Sequence, residues 1–264
     1  MLNRLFKLFS LSNGIIVCQL ILLCILVSCH AKKDEQAEEQ IRTTSSSSNG
    51  MDSVVNSIKG NVSLNQIPTL PNSVLLTGLT DHRWVTVYKS RVDENLKKWN
   101  KQYDGNESSG REHFMPGMDI LYGYNLLNIG HYDLKSEKLN FLFDHPALIK
   151  TLYYPSFVQD SLDKKPINRN YYLISVYDKD TNKDTLINRY DLRRFYLFDA
   201  SASVKTQLIP DDYSALRSQY DSKNDVMYIF AIQDTNKNGT GEINEPIHIF
   251  WMSLKNPGVA KRLY

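Results

Sequence analysis

The sequence predicts an all-β fold: a small propeller-like array of about four antiparallel blades or hairpins, with a β-sandwich of the same hairpins as the alternative. Three observations carry this. In the second part of the chain, apolar residues alternate with polar ones or run in short blocks rich in Tyr, Phe, Ile and Val. Asp, Asn, Gly and Pro, the usual residues of turns, bound those blocks. A unit of strand, acidic loop and strand occurs twice, 54 residues apart, from Asp180 and from Asp234, a period suited to propeller blades.

In chain order, residues 1–28 read as a secretion signal. Arg4 and Lys7 precede an apolar run from Ile15 to Val27 that is short for a membrane-spanning helix. Leu26, Val27, Ser28 and Cys29 resemble the lipobox of bacterial lipoproteins, which implies acylation at Cys29 and a chain held to a membrane by lipid. All three cysteines lie within the first 29 residues, so the chain beyond Cys29 offers no disulfide framework and no thiol chemistry. Residues 29–71 read as a flexible tether, charged at first and then Ser-rich, with too little apolar surface to offset the entropy of ordering. His30 stands where an inner-membrane retention signal would have Asp. The stretch Lys32, Lys33, Asp34, Glu35 resembles the export tags of Bacteroidota surface lipoproteins. Together these imply the outer membrane, with its external face favoured over the periplasmic one.

Residues 72–264 form the expected β-repeat domain, large enough for a core of its own. Candidate strands are RWVTVYKS, DILYGYNLLNIGHYDL, KLNFLFD, IKTLYYPSFV, NYYLISVYD, RRFYLFDA, DVMYIFAIQ and PIHIFWMSL. A short helix is predicted at DENLKKWNKQY and a long loop at GNESSGREHFMPGMD. In the repeat, Phe195, Tyr196 and Leu197 fall on Ile249, Phe250 and Trp251. The strands before the two loops differ by two residues, a change that keeps every side chain on its face.

The loops suggest calcium. Asp234, Asn236 and Asn238 supply oxygen at alternate positions, Gly239 permits a left-handed turn, Thr240 offers a carbonyl, Glu242 acts through water, and Glu245 closes the twelve residues. Every specified position of the EF-hand loop pattern is met, although strands rather than helices flank it. The weaker copy has Asp180, Asn182, Asp184, Leu186, Asn188 and Asp191, with Thr185 in place of the glycine and Lys179, Lys183 and Arg189 adding repulsion. The alternative for either loop is a hairpin tip held by Asx-type hydrogen bonds.

The two DTNK loops between strands resemble those of a group of Bacteroidota lipoproteins with propeller-type β repeats and EF-hand-like calcium loops. That resemblance covers roughly the last hundred residues. Together with the lipobox, the chain reads as a lipid-anchored envelope module that binds or scaffolds without catalysis, with an envelope protein or a glycan as partner. Outside the leader, basic and acidic residues balance at 29 each, so no nucleic-acid footprint is expected. The competing class is a carbohydrate-active enzyme, since Asn244, Glu245 and Pro246 resemble a glycosidase acid/base triplet; that chemistry needs a second carboxylate nearby. The histidines are scattered singly in the sequence, and Trp84, Trp99 and Trp251 are candidates for core or for a sugar platform.

Overall fold

The computed structural model describes residues 58–59, 66–89 and 111–264. The helix expected at DENLKKWNKQY, the leader and Cys29 lie outside them. Among the described residues the fold is all-β, with seventeen strands. They are β1 (Ile58–Lys59), β2 (Thr69–Leu76), β3 (His82–Lys89), β4 (Arg111–Met115), β5 (Met118–Asp133), β6 (Lys138–Phe141), β7 (Leu148–Pro155), β8 (Asp160–Leu162) and β9 (Lys165–Ile167). Then follow β10 (Tyr171–Tyr177), β11 (Leu186–Ile187), β12 (Arg194–Asp199), β13 (Lys205–Gln207), β14 (Tyr213–Asp221), β15 (Val226–Gln233), β16 (Ile247–Ser253) and β17 (Lys261–Arg262).

All pairings are antiparallel. Nine strands form one sheet in the order β13-β12-β10-β7-β5-β3-β2, with β4 and β6 also bonded to β5, and β14 to β17 form a second sheet in sequence order. The strands are thus not divided into four separate blades, and neither sheet closes on itself.

The large sheet curls because of β5. Its first half pairs with β4 and β7 and its second half with β3 and β6; the register with β7 shifts between Tyr122 and Leu126. Gly123 sits in that shift, where a Cβ would stand 2.3 Å from the Ile149 carbonyl oxygen. Only glycine admits this approach. The curl brings Trp84 of β3 edge-on to Tyr172 of β10 at 4.3 Å, although β5 and β7 lie between their strands. In a flat sheet three strand spacings would separate them by about 14 Å. The concave side encloses Trp84, Leu121, Ile129, Leu152, Tyr172 and Phe198.

The opposite side meets the second sheet. Leu173, Phe195 and Leu197 share a core with Met227, Ile229, Phe250 and Met252. Strands β10 and β12 are therefore buried on both faces, which is why they read as nearly continuous apolar runs instead of alternating ones. A buried pair ties this layer together: the Arg169 guanidinium donates to both Asp225 oxygens (3.0 and 2.7 Å) and to the Leu254 carbonyl (2.8 Å).

All eight candidate strands occur; several others were not legible. Strand β2 starts at Thr69, ahead of the boundary at 72, and β1 lies within the stretch read as tether. β2 carries Pro71 on the sheet's edge beside a register shift, a placement that tolerates a residue lacking an N–H. Part of the expected long loop is β4, which turns through Pro116 and Gly117 into β5. The repeat is real in register but differs from the sequence alignment. Ile174 opposes Tyr196 and Ile229 opposes Phe250, so the strands before the loops differ by one residue, not two. The extra residue lies in the connection after β10, where it cannot flip a strand face.

Candidate functional site in the paired acidic loops

Both acidic segments fold into the same closed turn, and the hydrogen bonds match position by position. In the second, the Asp234 carboxylate accepts the N–H groups of Asn238 (3.1 Å) and Gly239 (2.9 Å). Asn236 Oδ1 accepts Asn238 N–H, and Asn238 Oδ1 accepts Thr240 N–H. Glu245 reaches back: Oε1 accepts the N–H groups of Thr235 (2.7 Å) and Asn236 (3.3 Å), and Oε2 accepts that of Glu242 (2.9 Å).

In the first, Asp180 accepts the N–H groups of Asp184 and Thr185, Asn182 accepts Asp184 N–H, and Asp184 accepts Leu186 N–H. Asp191 takes the place of Glu245, accepting the N–H groups of Thr181 (2.7 Å), Asn182 (3.4 Å) and Asn188 (2.8 Å). The fourth and sixth residues are left-handed in both, Lys183 and Thr185 in one, Lys237 and Gly239 in the other. Alternating Asx side chains thus hold the turn, and a closing carboxylate caps its start.

The loops touch. Thr181 Oγ1 donates to the Gly239 carbonyl at 2.6 Å and accepts Leu192 N–H at 2.8 Å. A Cβ on Gly239 would stand 2.0 Å from the Thr181 carbonyl oxygen. The first loop is braced from another side too: β11 lies within it and pairs with β1, so Ile58 and Ile187 pack with Leu127 and Leu148. Thr181 and Thr235 escaped sequence reading as structural residues, though the shared DTNK was the signal; both hydroxyls stand beside the closing carboxylate.

The electrostatics differ. Burial pushes the Glu245 carboxyl up, but N–H donors from Glu242, Thr235 and Asn236 outweigh it and hold the group below the usual glutamate range. For Asp191 burial prevails over similar donors, and the carboxyl lies above the usual aspartate range. Asp234 and Glu245 are both buried, and no salt bridge reaches either among the described residues. Two buried carboxylates satisfied by neutral donors, with the Asn236 and Asn238 side-chain oxygens bonded into the same turn and Glu242 bonded to both amides, offer oxygens of a kind suited to a hard cation. Glu242 is turned toward the Asn238 and Asn236 amides (2.8 and 3.3 Å). Among the described residues no three carboxylates, imidazoles or thiols gather closely enough to hold a metal by themselves, so the amide and carbonyl oxygens would be essential.

Other residues singled out in the sequence fall elsewhere. His113 is on a strand, its Nδ1 3.3 Å from Asp119 and its Nε2 3.1 Å from Asp160. His82 and His131, far apart in the chain, meet at 3.0 Å. Trp84 is core, Trp251 is half-buried, and Trp99 lies outside the described residues. As an acid/base, Glu245 would have to give up the bonds that close its loop. No known family model matches the chain, and no curated protein matches it in sequence.

Proposed function

We propose that the protein is a lipid-anchored cell-envelope module that binds or scaffolds without catalysis, and whose second acidic loop holds calcium. Asp234, Asn236, Asn238, Thr240, Glu242 and Glu245 would ligate the ion. The first loop, with Asp180, Asn182, Asp184, Leu186, Asn188 and Asp191, would bind weakly or serve as a bare turn. The observation that carries this is the matched pair of closed turns, in which Asp234 and Glu245 lie buried without a cationic partner. When bound, calcium supplies the positive charge those carboxylates lack.

The finer architecture belongs to the same proposal: β7-β10-β12-β13 and β14-β15-β16-β17 are consecutive four-stranded meanders stacked face to face, which supports a propeller-like array. The anchor is Cys29, the site the outer membrane with its external face favoured, and the partner an envelope protein or glycan.

An ion that binds only the folded state raises stability by mass action. At about 1 mM calcium and a Kd of about 0.1 mM the gain is about 1.4 kcal/mol, or about 3–5 °C in Tm for a domain of this size. Melting the protein with calcium and with chelator tests this. Equal midpoints in the two conditions would remove the ion from the proposal.

A further inference from the structure

One core lies within the curl of the large sheet and the other between that sheet and the second, which leaves the second sheet with one face over. Register places Tyr228 opposite Trp251 and Phe230 opposite Ile249 on that outer face. In the preceding meander the corresponding positions, Leu173, Ser175, Phe195 and Leu197, are buried under the second sheet. Here they remain partly exposed. Leu263, whose N–H bonds to the Ile249 carbonyl, is 58 % exposed beside them, and Ile247 is 40 % exposed. Two cations complete the surface. The Arg217 guanidinium lies 3.6 Å from the Phe230 ring centroid, and Lys261 Nζ lies 5.4 Å from that of Trp251. Neither forms a salt bridge among the described residues. Asp221, at the end of β14, has its oxygens taken by Lys223 and Asn224.

We propose that this outer face of β14–β17 is where the domain rests on an anionic lipid surface; the inference builds on the lipid-anchored reading. The chemistry is that of a bilayer interface. Trp and Tyr present an apolar body with a polar tip, and Arg and Lys lie along them while keeping their charge toward headgroups. Unpaired cations complement anionic headgroups, each contributing about fivefold in binding. Lys261 stands exposed on the edge strand β17 beside Trp251, where its charge can reach headgroups; protein interfaces, by contrast, are depleted in lysine.

The test uses the intact chain bound to vesicles of phosphatidylcholine, with and without phosphatidylglycerol, carrying brominated acyl chains. Tryptophan emission should be quenched, Trp251→Phe should remove most of that quenching, and adding phosphatidylglycerol should deepen it. Arg217→Glu with Lys261→Glu, both surface changes, should weaken the phosphatidylglycerol effect about tenfold or more. Quenching unchanged in Trp251→Phe overturns the proposal. So does a Trp251 reached by aqueous acrylamide but not by bromolipid, or one shielded from both, which would mean a protein or a second copy covers the face. The anchor is read separately from the mass of the mature chain: an unacylated Cys29 would bring down the lipid-anchored reading, whereas the quenching pattern alone decides the face.

Discussion

The two acidic loops make nearly the same hydrogen bonds from different residues, and the differences show what each residue is for. At the sixth position Thr185 and Gly239 share a left-handed backbone, φ 73° and 79°. A β-branched residue there costs on the order of 1 kcal/mol or more, yet the first loop accepts it because Thr185 is exposed and has room. Gly239 has no such freedom, since the first loop presses on it from Thr181. Hydrogen bonds build the turn in both; glycine is demanded where the second loop is clamped against the first. At the twelfth position the two carboxylates accept equal sets of donors, but the shorter Asp191 is held more deeply, and burial lifts its carboxyl above the usual aspartate range while that of Glu245 stays below the usual glutamate range.

The largest expected effect breaks this asymmetry directly. Gly239→Ala must displace the Thr181 carbonyl as well as strain the backbone, a loss of about 3 kcal/mol or more and about 6–12 °C in Tm. Thr185→Gly should change Tm by no more than about 2–4 °C, because relief of strain and added chain entropy oppose each other. Equal and large losses in both would mean that the turn itself, not the loop contact, requires glycine.

Next in size is the bridge. Thr181→Val keeps the shape but removes the donor to Gly239 and leaves Leu192 N–H without its acceptor. About 1–3 kcal/mol should be lost, with faster hydrogen exchange in both loops. Exchange that quickens in the first loop alone would show that the two are not coupled.

What the sequence revealed and hid follows from the same physics. Seven of the eight strands were legible because burial on one or two faces writes a pattern into the side chains; β6 is exposed throughout and showed itself by the alternation of Leu139 and Phe141 with polar residues. β2, β13, β14 and β17 are edge strands, and edges leave composition free. The loop pattern was legible residue by residue, including the left-handed sixth position. Contact between the loops was not, because nothing local in DTNK distinguishes a threonine that caps its own turn from one that also holds its neighbour. His82 and His131 escaped for the same reason: adjacency across strands depends on register, which one sequence does not display.

Calcium should sharpen the contrast by a smaller amount. The stabilisation of about 3–5 °C expected with calcium over chelator should vanish in Asp234→Ala and persist in Asp180→Ala. A calcium response lost in Asp180→Ala and kept in Asp234→Ala would reverse the ranking of the loops.

The smallest effect concerns acid, measured in chelator so that no ion intervenes. Glu245 lies below its ordinary value of 4.5, so the stability it contributes is present above that value and fades as pH falls through its folded pKa. Asp191 lies above its ordinary 3.8, so its contribution is fully present below that value and is lost as pH rises through its folded pKa. Relative to wild type, the penalty of Glu245→Gln should therefore be largest near neutrality and shrink on acidification. That of Asp191→Asn should be largest in acid and shrink toward neutrality. Melting the three proteins between about pH 3 and about pH 7 reads both slopes, since stability follows the difference in bound protons between the unfolded and folded states. Parallel curves would mean that the two closing carboxylates sit in equivalent surroundings, and the distinction between the two loops would rest on glycine alone.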